Sequence, residues 1–226
     1  MTAAASARPF TRRAVLADAL VGQRTVVKDL LLVAAGITVV AALAQVEVPM
    51  WPVPITGQTL GVMLVAATLG FRRGTMAMLG YLALGLAGLP IFATFSGGIA
   101  TIGKPSFGFI IGFVATAAVV GWLAERRWDR QPLLAVALFG AASLIPFAFG
   151  IPYMAAVLAA LGTPVDLLGA LGLGFVPFIV GGLVKWAIAA AIMPGAWFVH
   201  RNRAAIAAWL RRAVAAMRRF FGGRTA

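Results

Sequence analysis

Lys185 is the residue whose position most narrows its chemistry. It stands inside an apolar run, Leu173–Val199, with no Asp or Glu one helical turn away. An ammonium held at membrane depth costs roughly 2.5–3.5 kcal/mol on insertion scales, so it must face a polar cavity or a partner. Lys185 is therefore a candidate donor to an anionic or carbonyl-bearing ligand; the competing assignment is a lysine that snorkels to an interface. Gln45, Thr56, Gln58 and Thr59 gather around a second feature, the stretch Glu47–Thr56, where Pro49, Pro52 and Pro54 surround Trp51. Their amides and hydroxyls suit a polar ligand, and Thr56 equally suits the cap of a helix that starts after it. Trp51, and Tyr153 beside Pro152, are placed to stack on a planar ligand. Glu47 and Asp166 fall at span ends and read as surface carboxylates. Lys28 and Asp29 read as interfacial anchors.

Other chemistries are excluded. His200 is the only histidine and sits among arginines, so no His–carboxylate–nucleophile set can be assembled within the membrane. Cysteine is absent, which removes disulfides, thiol catalysis and Cys-based metal sites. The run Gly98–Pro105 mimics GxxxxGK[ST], but Pro105 replaces the hydroxyl residue that would hold Mg²⁺. The chain is expected to be neither an enzyme nor an ATPase, and to need no cofactor or metal.

The elements that position these residues follow from composition. The 226 residues are 62% hydrophobic and 11% charged, with a mean hydropathy of +0.98. A soluble domain carries about a quarter charged residues, so this is an all-α integral membrane protein. Six apolar segments predict six transmembrane helices: about Val26–Ala44, Gly57–Gly70, Gly74–Phe92, Phe107–Ala124, Pro132–Leu161 with Pro146 and Pro152, and Leu173–Val199. Residues 1–25 form a basic cytoplasmic tail, 26–199 the membrane domain, and 200–226 a basic cytoplasmic tail. From Arg201 to Arg219 that second tail alternates arginines with Ile206, Trp209, Leu210, Val214 and Met217. The pattern describes an amphipathic helix on an anionic lipid surface or a solvated helix end.

Charge orients the bundle. With both termini inside, seventeen of the nineteen Lys and Arg fall on the cytoplasmic side; the others are Lys104 in an outside loop and Lys185 within a span. The net charge of +13 is thus topological and calls for no nucleic acid. Both outside loops, Glu47–Thr56 and the Gly- and Ser-rich Pro90–Gly108, are candidates to re-enter the membrane or cap a cavity that opens outward. Small residues recur every fourth position at Ala34, Thr38 and Ala42, a face suited to helix packing or to docking another membrane subunit.

Several stretches resemble a known family. Val53-Pro-Ile-Thr-Gly-Gln-Thr-Leu60 looks like its first-loop signature. Tyr81-Leu-Ala-Leu-Gly-Leu-Ala-Gly-Leu-Pro-Ile-Phe92, Ser96-Gly-Gly98 and Gly103-Lys-Pro-Ser-Phe-Gly-Phe109 follow in place. The family is the BioY type, the biotin-specific substrate-binding (S) components of energy-coupling-factor (ECF) vitamin transporters, and the resemblance runs from about Val26 to Phe198. It implies the S-component fold in a cytoplasmic (inner) membrane. It also implies an outward-facing biotin pocket under the first loop, a transmembrane coupling subunit and two cytoplasmic ATPase subunits. It assigns the pocket to Gln58, Tyr81, Thr94, Ser96, Phe147, Tyr153 and Lys185, with Trp51 in the lid; the small-residue face Ala34, Thr38 and Ala42 is then the candidate interface for the coupling subunit. One position departs from the pattern. Where the family commonly reads Pro-Phe-x-x-Gly-Asp-x-x-Lys, this chain has Pro177-Phe178-Ile-Val-Gly181-Gly182-Leu-Val-Lys185. In the family that acid would accept from the ligand's ureido N–H or pair with the lysine. Its replacement by Gly182 leaves room for a different small vitamin or anion, and Lys185 is then a candidate partner for a ligand carboxylate.

Overall fold

Apolar runs bounded by glycine, proline and charge become helices here. The computed structural model describes residues 15–22 and 25–222, and at 210, 213 and 215–222 it describes the backbone alone. The elements are α1 (Leu16–Val21), α2 (Val26–Ala44), a two-residue hairpin of β1 (Glu47–Val48) and β2 (Ile55–Thr56), α3 (Gln58–Leu86), α4 (Phe107–Ala124), α5 (Pro132–Ala160), α6 (Leu167–Gly174) and α7 (Phe178–Gly222). Five stretches are long and apolar enough to cross a membrane: α2, α3, α4, α5 and the Phe178–Trp209 part of α7. α4 packs between α3 and α5, α2 lies against α3, and α7 lies against α5 and α3.

α3 is not one straight rod. At Gly70 the backbone takes φ 83° and ψ −178°, a left-handed conformation that glycine adopts without steric cost. The chain reverses there into two antiparallel arms. Gln58 on the first arm donates to the Tyr81 hydroxyl on the second at 2.7 Å; in a straight helix residues 23 apart stand ~35 Å apart. Small residues let the arms meet: a methyl group on Gly74 would lie 3.0 Å from the Ala66 Cα. α4 crosses the turn just as closely, since a methyl group on Gly121 would lie 2.6 Å from both the Gly70 carbonyl carbon and the Phe71 nitrogen. The Glu125 carboxylate, just past α4, accepts from the Phe71 N–H at 3.0 Å.

The predicted boundaries need four corrections. The segment that was to run from Gly74 to Phe92 ends at Leu86, where the chain turns at residues 87–88. The segment that was to start at Leu173 starts at Phe178, because Leu173 and Gly174 belong to α6 and the chain turns at residues 175–177. Its helix also runs past Val199 without a break to Gly222. The basic tail from 200 onward therefore continues α7, while the side chains of Leu210 and Met217, on which its amphipathic reading partly rests, lie outside the described residues. At the other end, residues 1–14, 23 and 24 of the predicted N-terminal tail lie outside the described residues, but Val15, Leu16 and Ala17 are buried in the core.

Arg73 explains why that segment is held. Its guanidinium pairs with Asp18 at 2.6 Å and Asp29 at 3.2 Å, and its Nε donates to the Leu69 carbonyl. The segment therefore docks on the α3 turn through apolar contact and a half-enclosed ion pair. A second anchor ties the α4–α5 connection to α7. Asp129 is fully buried and accepts from the Trp197 indole N–H, while the Arg130 guanidinium lies 3.8 Å over the Trp197 ring. Burial holds the Asp129 carboxyl above its ordinary pKa against the opposing pull of Trp197 and Arg130.

The close approach at the α3 turn gives a direct test. Gly121→Ala is expected to cost about 1–3 kcal/mol through overpacking against backbone that cannot yield. Gly195→Ala, where nothing lies within 4 Å, is expected to be neutral or slightly stabilising. Thermal unfolding of the two detergent-solubilised variants compares them; equal midpoints would contradict the packing described.

Candidate functional site

The end of the molecule opposite Arg73 and Asp129 carries a cavity of about 280 Å³ under the β1–β2 hairpin, close to the lower end of the roughly 300–1,000 Å³ usual for small-molecule sites. α3, α4, α5 and α7 contribute to it, α3 through Gln58 and Thr59. α4 gives Phe109, Ile110 and Phe113 at helical spacing, α5 gives Ser143, Pro146 and Phe147, and α7 gives Phe178, Gly182 and Lys185. Phe109 stacks on Phe178 with ring centroids 6.1 Å apart, and Phe147 meets both edge-on at 5.7 and 5.8 Å. Such edge-to-face and offset contacts are favourable beyond the area they bury, so three rings form a fixed apolar wall.

The opposite corner is polar. Lys185 Nζ donates to the Thr56 carbonyl at 2.9 Å. The Thr56 hydroxyl donates to Gln58 Oε1 at 2.8 Å, Gln58 Nε2 donates to the Tyr81 hydroxyl at 2.7 Å, and that hydroxyl donates to the Ile91 carbonyl at 2.9 Å. The donors run in one direction from α7, through the hairpin and both arms of α3, into the loop before α4. Among the described residues no Asp or Glu lines the cavity; its charged side chains are Lys104 and Lys185.

The sequence-predicted site residues divide accordingly. Trp51, Gln58, Thr94, Ser96, Phe147 and Lys185 all line the cavity. Trp51 is 67% exposed, on the hairpin tip that roofs it. Thr94 lies in the left-handed region with φ 58°, as does Phe95 with φ 52°, a costly conformation for non-glycine residues. Gln45 holds that turn in place: its Oε1 accepts from the Phe95 N–H and its Nε2 donates to the Phe92 carbonyl. Tyr81 and Tyr153 stand outside the lining. Tyr81 is fully buried behind Gln58, and the Tyr153 hydroxyl donates to the Ile102 carbonyl while its ring packs beside Phe107. Tyr81 thus backs the polar corner, and Tyr153 backs Phe107.

Ala34, Thr38 and Ala42 are not in the lining; they lie on the exposed face of α2. Their neighbours Gly36, Val40 and Ala44, two residues on in each case, form the buried face. Sequence reasoning missed Phe109, Phe113 and Phe178 as wall residues. Helical spacing would have found them: Phe109 and Phe113 are four apart, and Phe178, Gly182 and Lys185 fall at i, i+4 and i+7.

The hydrogen-bonded series makes a specific expectation. Tyr81→Phe removes a hydroxyl that serves Gln58 and Ile91, and should cost about 1–3 kcal/mol by stranding buried polar groups. Gln58→Leu should cost a similar amount, and the double variant should fall short of the sum by about 0.5–3 kcal/mol. Denaturation midpoints in detergent measure all three, and strict additivity would refute the coupling.

The BioY family model matches residues 12–202. The chain is 37% identical over 149 residues to the biotin transporter BioY of Thermotoga maritima, which covers 66% of this chain and 83% of that one. It is 35% identical over 175 residues to the biotin transporter BioY of Rhizobium etli, covering 73% and 90%. Its fold is similar to the crystal structure of the S-component for biotin from an ECF-type ABC transporter, with a TM-score of 0.55, 26% identity and coverage of 80% and 95% of the two chains.

Proposed function

The chain belongs to the BioY family, and we propose that it binds biotin at its outer end and mediates its uptake across the cytoplasmic membrane as the substrate-binding component of an ECF transporter. The observation that carries this reading is the cavity under the hairpin, with an aromatic wall on one side and an amide, hydroxyls and an ammonium on the other. Biotin's fused rings and aliphatic tail suit the wall, and its ureido group and carboxylate suit a small number of placed polar groups. The relatives named biotin transporters, and a similar fold described as a biotin S-component, support the choice of ligand.

The proposed topology has six crossings, with both termini in the cytoplasm. The reversal at Gly70 supports reading α3 as two of them, and α6, at eight residues, is too short to be one. The grouping of arginines at the end away from the cavity supports the orientation. The proposed partners are a transmembrane coupling subunit, two cytoplasmic ATPase subunits and membrane lipids. The exposed small-residue face Ala34–Thr38–Ala42 is the surface we assign to the coupling subunit; its exposure and its close-packing residue types support that. Trp51, Gln58, Thr94, Ser96, Phe147 and Lys185 are the proposed ligand-facing residues, with Tyr81 and Tyr153 behind them.

One observation favours a second reading, a different small anion. Gly182 stands in the cavity with no carboxylate beside it and nothing within 4 Å of where a Cβ would lie. Binding of labelled biotin to the purified protein in detergent, with thiamine and riboflavin as controls, separates the two. Saturable binding of biotin alone is expected. Lys185→Ala is expected to weaken it about 10- to 100-fold, the value of a charge-assisted hydrogen bond. Unchanged affinity in that variant would remove Lys185 from the site, and absence of biotin binding by folded wild-type protein would turn the search to other anions.

A further inference from the structure

Two ammonium groups line the cavity, and the reading above uses one of them. Lys185 is half-buried and gives a proton to the Thr56 carbonyl. Lys104 is different. Its side chain is exposed, and its ammonium has no hydrogen bond or ion pair among the described residues. It stands in the loop that leads into α4, where its carbonyl accepts from the Phe107 N–H.

The two lysines flank the aromatic wall. α4 and α7 both start at the cavity and run toward the far end, where Glu125 meets the α3 turn and Trp197 meets Asp129. Phe109 of α4 stacks on Phe178 of α7, so these rings mark one level of the bundle. Lys185 follows Phe178 by two helical turns, ~10 Å farther along α7. Lys104 lies on the other side of that level, before the first turn of α4. A ligand lying against Phe109, Phe147 and Phe178 therefore has a lysine beyond each of its ends.

These two ends suit different groups. Desolvating an ionised carboxylate costs far more than desolvating a neutral carbonyl. Beside Lys104 a carboxylate keeps part of its water shell, and the lysine breaks no existing bond to receive it. Beside the half-buried Lys185 a neutral ring carbonyl is the cheaper acceptor. Among the described residues no Asp or Glu lines the cavity to compete for either ammonium.

We propose that Lys104 pairs with the carboxylate of the bound ligand, which lies with its acid end at the loop before α4 and its neutral ring toward Lys185. The proposal rests on the biotin reading above, and names within it a specificity-determining residue and the direction in which the ligand lies.

The test crosses the two lysines with the charged end of the ligand. Affinities for biotin and for its primary amide, whose tail is uncharged, are measured on wild-type protein, Lys104→Gln, Lys104→Arg and Lys185→Gln, in detergent and alongside thermal unfolding. Wild type is expected to prefer biotin over the amide about fivefold, the scale of an ion pair that stays in contact with water. That preference should shrink as salt is raised. Lys104→Gln is expected to bind the amide within about twofold of wild type and to lose the preference, while Lys104→Arg keeps it. Lys185→Gln is expected to weaken both ligands alike and to keep the preference. A preference that survives in Lys104→Gln, or one that Lys185→Gln abolishes instead, would overturn the proposal while leaving biotin as the ligand. Wild-type protein that binds the amide as tightly as biotin would overturn it whether or not the variants fold. Wild-type protein that binds no biotin at all would instead bring down the assignment of the cavity, and the proposal with it.

Discussion

A lysine that enters a membrane on an apolar helix must give its protons to something, and Lys185 gives one to the Thr56 carbonyl. Much of the cavity end of the molecule depends on that contact. It pins α7 to the hairpin, and the hairpin is in turn pinned to both arms of α3 and to the following loop through Thr56, Gln58, Tyr81 and Ile91. In surroundings of low dielectric, hydrogen bonds strung in one direction polarise one another, and a missing member leaves its neighbours buried and unpaired. The two loops that roof the cavity are thus held by side chains rather than by extended secondary structure. The hairpin itself contributes only two paired residues on each strand.

That string can close only because the backbone brings its members together. Gln58 and Tyr81 meet because Gly70 reverses α3, and the reversal fits because Gly74 and Gly121 allow the arms and α4 to approach to backbone contact. On the far side, α4 and α5 meet where Gly112 faces Pro146, so closely that a methyl group there would lie 2.7 Å from the proline Cα. Pro146 in turn lines the cavity. The small residues of this chain therefore act mainly within the bundle. The set Ala34, Thr38 and Ala42 is the exception, because it faces outward on a helix whose inward face is already supplied by Gly36, Val40 and Ala44.

Helix existence and the two loops that roof the cavity were legible in the sequence, the first from apolar run length and the second from proline- and glycine-rich composition between the runs. α2 and α4 begin and end at the residues that patterning gives. What patterning could not reveal was how a polar residue near a cavity divides its hydrogen bonds. Gln58 and Tyr81 read equally well as ligand contacts or as structure, and only the three-dimensional partners show that they bond each other. The same holds for Gln45, whose amide fastens the turn at Phe92–Phe95. Conversely, Phe109, Phe113 and Phe178 were not singled out as wall residues: helical spacing puts Phe109 and Phe113 on one face of their helix, but the sequence does not say which neighbour that face meets. The burial of Val15–Ala17 was hidden for a related reason: its cause, the pairing of Asp18 with Arg73, spans 55 residues.

Carboxylates are divided unevenly between the two ends of the molecule. At the arginine-rich end every Asp and Glu of the described residues has a structural engagement: Asp18 and Asp29 with Arg73, Glu125 with the Phe71 N–H, and Asp129 with Trp197. At the cavity end Asp166 caps α6 and Glu47 sits in the hairpin, both away from the lining. The cavity is left with two ammonium groups and a set of neutral hydroxyls and amides. Such a site offers its strongest bonds to an anionic acceptor, since hydrogen bonds to an ionised group are roughly twice as strong as neutral ones. For the remaining polar atoms of a ligand it offers only neutral partners, hydroxyls and an amide whose own protons are given to the protein. Orientation within the cavity then depends on the ammonium at one end and on the acceptor lone pairs those hydroxyls keep.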